Sequence, residues 1–393
     1  MINNFKLFSK FIIVKIIRNL LYVFRFFSIR NNRVLFLAFP SLTYMCNPKY
    51  IQQYLSKKCK TDIDYIWIVR KTKDKTIPQN IKQIRYLSLK YFYYLCTSKV
   101  IINNGSVIPY LPLRKDAYTV YTWHGGGAYK KIELDMPIGK KYWFRKRILL
   151  GTKDVSYYLS SCEGFTINQS KSIAVDSKLF INTGMPRNDI FFDKKIIQSF
   201  YQKVRKKYSL SYNTKIILYA PTWRNDGFDH YSKLLNNSSK IFSALSKNTD
   251  LIILYRLHPN IHNKLNLNSQ QNIINVANYT DMQELLCAAD ILITDYSSCM
   301  WDFSLMNKPC FIYATDKEAY NKAWTFYTPM SEWPFPIATN TDELINNILN
   351  FNQEEYVQKV KQHHEDLGSF EDGHACERVC KLIEDIIDGK VQK

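Results

Sequence analysis

No acidic residue precedes Asp62. Over the full 393 residues, 54 Lys+Arg face 34 Asp+Glu, a net charge of +20, and residues 1–150 hold 28 of the cations but only 6 of the anions. The rest of the chain is near neutral. A front half this basic suits an anionic partner, whether lipid headgroups, nucleic acid or an anionic polymer. Glycine and proline are scarce, at 12 and 13, and 46% of the residues are hydrophobic; this excludes a collagenous, low-complexity or disordered chain. No uncharged apolar run approaches the ~20 residues of a spanning helix. Neither G-x-G-x-x-G nor a Walker sequence occurs, so a standard dinucleotide or P-loop phosphate site is not expected. The nine cysteines form no C-x-x-C pair and are odd in number. They read as reduced, mostly buried thiols of a cytosolic protein, not as a disulfide framework. His374, Cys376 and Cys380 lack a fourth ligand at a plausible spacing, and no metal site is expected there.

The length suits two domains. Residues 5–29 are strongly apolar but interrupted by Lys6, Lys10, Lys15, Arg18 and Arg25. On a helical wheel Phe5, Ile12, Ile16, Leu20, Val23 and Phe27 share one face and the five cations the opposite half. Residues 1–30 are therefore expected to form an amphipathic helix on an anionic membrane surface. The alternative is a helix docked on its own domain. A signal peptide is disfavoured by the charges within the apolar stretch and the lack of a small-residue cleavage site.

Beyond this segment, short β-rich runs alternate with helical stretches, as in a parallel sheet with crossover helices. Strands are expected at Arg33–Phe39, Asp64–Val69, Lys99–Asn103 and Thr119–Trp123 in the first half. In the second they fall at Lys215–Ala220, Leu251–Arg256, Asn272–Val276, Ile291–Asp295 and Pro309–Tyr313. The expected fold is α/β, with two Rossmann-like doubly wound domains at 31–195 and 215–393 facing a cleft, joined by a linker at 196–214. No internal repeat is visible. In such folds ligands bind at the carboxyl ends of the strands.

Polar clusters stand at those ends. Trp123-His124-Gly125-Gly126-Gly127, with Lys130 and Lys131 after it, joins a histidine of near-neutral pKa to glycine amides able to approach an anion. In Gly184-Met185-Pro186-Arg187-Asn188-Asp189, Arg187 offers a planar fork for phosphate or carboxylate; the plainer reading is a turn with an Asn or Asp cap. Tyr219-Ala220-Pro221-Thr222-Trp223-Arg224 exposes a hydroxyl and an aromatic plane. Arg256-Leu257-His258-Pro259 places a second histidine after a strand, held extended by the proline. Thr280-Asp281-Met282-Gln283 has capping-box spacing. After it, Asp295-Tyr296-Ser297-Ser298 opens a helix carrying Asp302, where hydroxyls and amides can bind phosphate and Asp302 can accept a ligand hydroxyl.

Taken in order, these five clusters resemble the motifs of the CDP-glycerol glycerophosphotransferases, the teichoic-acid primases and polymerases with their capsule-making relatives, ribitol-phosphate transferases among them. Asp372-Gly373-His374-Ala375-Cys376-Glu377-Arg378 is similar to the family's C-terminal element. The resemblance implies a GT-B architecture, an N-terminal acceptor domain and a C-terminal domain for a CDP-glycerol or CDP-ribitol donor. It also implies that His124 is the general base and that His258 stabilises charge on the transferring phosphoryl group. Arg187, Pro221, Thr222, Arg256, Ser297, Ser298 and Asp302 would hold the donor, and Trp123 with Gly125, Gly126 and Gly127 would contact substrate. One departure stands out: the family usually reads WHG-T-P-L-K-K, whereas here three glycines, Ala128 and Tyr129 precede Lys130-Lys131. This bears on substrate identity more than on reaction class.

The implied partners are the CDP-linked donor, a lipid-linked or polymeric phosphate-rich acceptor, and the cytoplasmic face of the membrane, where the protein would be peripheral. No cofactor, metal or nucleic acid is expected, since oriented positive groups and amides can neutralise a diphosphate. Two other readings are a nucleotide-sugar glycosyltransferase of the same fold and a basic nucleic-acid-binding protein, the latter suggested by aromatics among Lys and Arg at Tyr86–Tyr94.

Overall fold

The computed structural model describes residues 4–59, 62–71, 74–222, 236–245, 250–256 and 272–392. The chain divides into two compact units, 1–189 with 368–393, and 190–367.

The first unit begins with α1 (Asn4–Leu20) and a 3-10 turn over Leu21–Phe26. There follow β1 (Arg30–Leu37), α2 (Cys46–Lys58), β2 (Asp64–Val69), β3 (Lys82–Arg85), α3 (Leu89–Thr97), β4 (Ser98–Asn103) and β5 (Tyr118–Tyr121). After these come α4 (Tyr142–Thr152), β6 (Tyr157–Ser160), α5 (Glu163–Ile173) and β7 (Phe180–Asn182). The strands form one sheet in the order β3-β2-β1-β4-β5-β6-β7, and every pairing is parallel. Parallel strands are covered on both faces, which explains their near-continuous apolar runs. One face of β1, β2 and β4 packs Leu35, Ile66 and Ile101 on Tyr91 and Leu95 of α3. Tyr91 is fully buried and its hydroxyl bonds Tyr110 at 2.8 Å. Of the Tyr86–Tyr94 aromatics, Tyr91 is thus core, and Tyr86, Phe92 and Tyr94 pack half-buried against the same cluster.

The second unit contains α6 (Lys194–Lys207), β8 (Lys215–Ala220), α7 (Ser238–Leu245), β9 (Leu251–Tyr255), β10 (Ile273–Asn275), α8 (Met282–Ala288), β11 (Ile291–Thr294) and α9 (Cys299–Ser304). It continues with β12 (Cys310–Tyr313), α10 (Lys317–Ala323), β13 (Ile337–Ala338), α11 (Thr341–Leu349) and α12 (Gln353–Asp366). Its sheet, again parallel, runs β10-β9-β8-β11-β12-β13. Both sheets therefore have the doubly wound order, reversing between β1 and β4 in one and between β8 and β11 in the other.

Two expected boundaries need correction. The last 26 residues, 368–393, do not belong with the second domain. In α13 (Ala375–Ile387), Val379, Cys380, Ile383 and Ile386 share a core with Val34, Trp67 and Val100 of the first sheet. The stretch expected as a linker, 196–214, is packed against the second unit. The Asp193 carboxylate caps α6 by accepting from the amides of Lys195 and Ile196. Lys203 then reaches the buried Glu284 carboxylate of α8 at 2.7 Å, and buried Arg205 donates to the Thr214 carbonyl at 2.6 Å.

The N-terminal helix docks on its own unit and also keeps an apolar outer face. Leu7 and Leu21 are buried, and Phe8 and Phe11 pack on Trp143 of α4 with ring centroids 4.7 and 5.4 Å apart. Arg18 lies on the docked side, where it pairs with Asp154 at 2.6 Å and donates to the carbonyls of Pro109 and Leu111. It is therefore not one of the outward cations. Phe5, Ile13, Ile16, Leu20 and Val23 stay exposed. Among the described residues no helix is long and apolar enough to cross a membrane, and all nine cysteines are free thiols, eight of them buried.

Candidate active site

β5 ends at Tyr121, and the next residues turn away from the carboxyl edge of the first sheet. Trp123 takes a left-handed φ of +51°, which costs a side-chain-bearing residue about 1–2 kcal/mol. Surrounding bonds hold it there. Its carbonyl accepts from Thr122 Oγ1 at 3.1 Å and from Asn47 Nδ2 at 3.0 Å, and Asn47 Nδ2 also reaches the Thr122 carbonyl at 3.1 Å. The Trp123 indole then stacks on the His124 imidazole, centroids 4.4 Å apart.

His124 Nδ1 lies 3.0 Å from the Asn104 carbonyl. A carbonyl can only accept, so Nδ1 carries the hydrogen and Nε2 keeps its lone pair. Asn104 is itself fixed, its Oδ1 accepting from the Phe39 amide at 2.6 Å. Burial of the imidazole by the surrounding walls is the main cause that lowers its pKa below 6.5. The Asn104 carbonyl opposes this, while the charges of Arg187 and Lys130 add to it. His124 as a whole residue is exposed, and its imidazole is held in one orientation with Nε2 as the free acceptor. Gly125, Gly126 and Gly127 are buried behind it. Gly127 has a φ of +68°, and its amide donates to Ser161 Oγ at 3.1 Å; that amide serves the loop and does not reach out to an anion.

The segment 184–189 is built into the first unit. Gly184 combines a φ of +76° with an approach of 2.9 Å between its would-be Cβ and the Phe370 carbonyl, so no other residue fits. The Met185 amide and Asn188 Nδ2 both donate to Glu371 at 3.0 Å. The Asp189 carboxylate caps α13 through the amides of Ala375 and Cys376 at 2.9 and 2.7 Å. Arg378 of the C-terminal element donates to the Thr183 carbonyl at 3.0 Å and pairs with Asp372. Arg187 corrects an expectation. It is only 4% exposed, with Nη1 3.4 Å from Cys46 Sγ, and so supplies a fixed positive charge felt at His124 in place of an open fork.

In the second unit the clusters follow the adjacent strands β9, β8 and β11, at and beside the reversal of strand order. Pro221 and Thr222 leave β8, and the Thr222 amide donates to Asp295 Oδ1 at 2.8 Å, an atom that also accepts from the Tyr296 amide at 2.5 Å. Arg256 leaves β9 and donates to the Tyr279 carbonyl at 2.6 Å. Burial lowers its pKa, with Asp281 opposing. Ser297 and Ser298 precede α9 and are partly exposed. Behind them, Ser304 Oγ meets His364 Nε2 at 2.8 Å, which braces the helix. Asp302 is turned inward, 2% exposed, and accepts from Gln283 Nε2 at 3.0 Å, so it does not present its carboxylate to a ligand as expected. Gln283 is free for that bond because the cap of α8 is Asp281 and not Thr280. Trp223, Arg224 and His258 lie outside the described residues. Among the described residues no three His, Cys, Asp or Glu side chains gather as a metal site requires.

Asn47, Asn104 and Glu371 were not legible as site residues. Asn47 beside Pro48 reads as an ordinary helix start, and Asn104 acts through its backbone. Glu371 lies 183 residues from its partner Asn188.

Residues 19–385 match the family model described as CDP-Glycerol:Poly(glycerophosphate) glycerophosphotransferase. A teichoic acid poly(glycerol phosphate) polymerase of Staphylococcus epidermidis is 28% identical over 370 residues, covering 91% of this chain and 51% of the relative. A teichoic acid poly(ribitol-phosphate) polymerase of Bacillus spizizenii is 27% identical over 390 residues, covering 94% of this chain and 60% of that one. The chain thus spans only about half to three-fifths of the length of these two relatives. A solved structure of the wall teichoic acid polymerase TagF matches with a TM-score of 0.85 at 26% identity, covering 99% of both chains. Five strand-end clusters in order, two doubly wound sheets and a match over nearly the whole length converge: this chain belongs to the CDP-glycerol:poly(glycerophosphate) glycerophosphotransferase family.

Proposed function

We propose that the protein transfers glycerol-phosphate or ribitol-phosphate from a CDP-activated donor to a hydroxyl of a lipid-linked or polymeric acceptor, releasing CMP. The observation that carries this reading is the His124 geometry, an imidazole with Nδ1–H spent on a carbonyl and Nε2 open. In the proposed step Nε2 takes the acceptor hydroxyl proton. The acceptor oxygen forms a bond to the phosphorus bearing the polyol, and the bond from that phosphorus to CMP breaks. Such transfer depends on in-line positioning and oriented positive charge more than on covalent help. In a GT-B arrangement the first unit would hold the acceptor, and Pro221, Thr222, Arg256, Ser297 and Ser298 of the second would hold the donor. Incubation with CDP-glycerol, CDP-ribitol and a panel of nucleotide sugars tests the donor class. Turnover confined to a nucleotide sugar would favour a glycosyltransferase of the same fold.

No metal is assigned to the step. The acidic side chains nearest the expected diphosphate, Asp295 and Asp302, bond to amides and to Gln283. Turnover is expected to survive EDTA; loss restored only by Mg²⁺ or Mn²⁺ would contradict this.

The same reading places the protein at an anionic membrane surface. Phe5, Ile16 and Leu20 are 73%, 53% and 66% exposed on a helix whose other side is locked down, with Lys6, Lys10 and Lys15 alongside. Binding to vesicles containing anionic lipid is expected to weaken as salt shortens the screening length. Ile16→Glu should weaken it by a further tenfold or so, because the site is exposed and the loss falls on membrane burial alone. Unchanged vesicle binding by that variant would remove α1 from the contact.

A further inference from the structure

We propose that Asn47 is a positioning residue that ties the loop carrying His124 to the loop carrying Arg187 at the carboxyl edge of the first sheet. This rests on the reading of His124 as the base. Asn47 is the second residue of α2 and is fully buried. Its side chain joins two distant parts of the chain. Nδ2 donates to the Thr122 and Trp123 carbonyls at 3.1 and 3.0 Å and lies 3.7 Å from Met185 Sδ. Oδ1 accepts the Arg187 amide at 3.1 Å. One amide group thus spans separations of 75, 76, 138 and 140 residues.

The chemistry fits an amide and no other side chain of that size. The site needs a donor toward two carbonyls and an acceptor toward one amide, and asparagine supplies both from one planar group. Aspartate would set a carboxylate against two carbonyls, and leucine would take this partner from the Thr122 carbonyl and the Arg187 amide and leave the Trp123 carbonyl with Thr122 Oγ1. The donation to Trp123 also holds the left-handed turn that stacks the indole on His124. Loss of Asn47 therefore frees both loops. The base loses its orientation, and the fixed charge of Arg187 loses its distance from it.

The groups that face His124 are the Asn104 carbonyl, Arg187 and Lys130. If Asn47 holds this set together, the imidazole of a folded Asn47→Ala protein titrates closer to 6.5 than that of the unaltered chain, as followed by NMR. Misplacement of a reacting group by about 1 Å costs on the order of 10²-fold, so kcat should fall by about that factor with less change in the KM for donor. Asn47→Ser keeps one hydroxyl donor and should fall between the two, which also covers the case that the alanine variant does not fold. Asp193→Ala, which uncaps α6, is the control for general destabilisation and should leave the His124 titration unmoved. In the unaltered protein the Arg187 amide should exchange slowly with solvent. A fast-exchanging Arg187 amide, or a His124 titration unchanged in whichever variant folds, overturns the proposal. Absence of CMP release by the unaltered protein would instead remove the functional reading, and the titration and exchange results would still decide the role of Asn47.

Discussion

Replacing His124 by alanine is expected to lower CMP release by roughly 10²–10⁴-fold, the range spanned by a positioned general base, while the protein melts as before. The fold should tolerate the change because His124 is exposed as a residue and its one described hydrogen bond goes to the Asn104 carbonyl. The pH dependence follows from the shift already given. The base acts only when neutral, and burial first, then Arg187 and Lys130, hold its pKa below 6.5. In the unaltered enzyme kcat/KM should therefore rise with pH through a pKa below 6.5 and level off by neutrality. The alanine variant should lose that acid limb along with its rate. Turnover retained at the original level would reject His124 as the base.

The largest expected effect on stability lies at the docked side of α1. Arg18 and Asp154 are 14% and 9% exposed at their side chains and 2.6 Å apart. Arg18→Leu leaves the Asp154 carboxylate buried without its cation and removes donors from the Pro109 and Leu111 carbonyls. Breaking such a pair costs about 3–5 kcal/mol. At roughly 2–4 °C per kcal/mol for a unit of this size, the first unit should melt at least ~6 °C lower. Pairing that change with Asp154→Leu should restore much of the loss, because replacing both members of a buried ion pair costs far less than removing one. An Arg18→Leu protein with an unchanged melting temperature would show that α1 is not fastened there.

The sheets were readable because parallel strands covered on both faces must be apolar throughout. Asp64–Val69 and Lys215–Ala220 appear at the expected bounds. The strands that escaped, β3, β6, β7 and β13, are two to four residues long, too short for a periodic signal. The destination of the C-terminal helix was also hidden. Its apolar stripe shows that α13 packs on something, but the partner, the first sheet, is seen only where Val379, Cys380, Ile383 and Ile386 meet Val34, Trp67 and Val100. At the site, motif residues were recognisable by type while their direction was not. Arg187 and Asp302 carry charges that sequence reasoning turns toward a ligand, yet the fold uses one as a buried charge and the other as an acceptor for Gln283. On α1, which ends at Leu20 and not at residue 30, Phe5, Ile16 and Leu20 are exposed while Ile12 is half-buried. Arg18 turns inward because its role depends on Asp154, 136 residues away.

The most direct test of the central claim is a mass-spectrometric assay of the protein with CDP-glycerol or CDP-ribitol and a lipid-linked acceptor. The expected result is CMP released together with an acceptor heavier by one or more polyol-phosphate units, from at least one of the two donors and lost in His124→Ala. Failure of both donors to yield CMP or extended acceptor, with a nucleotide sugar consumed in their place, would contradict the account.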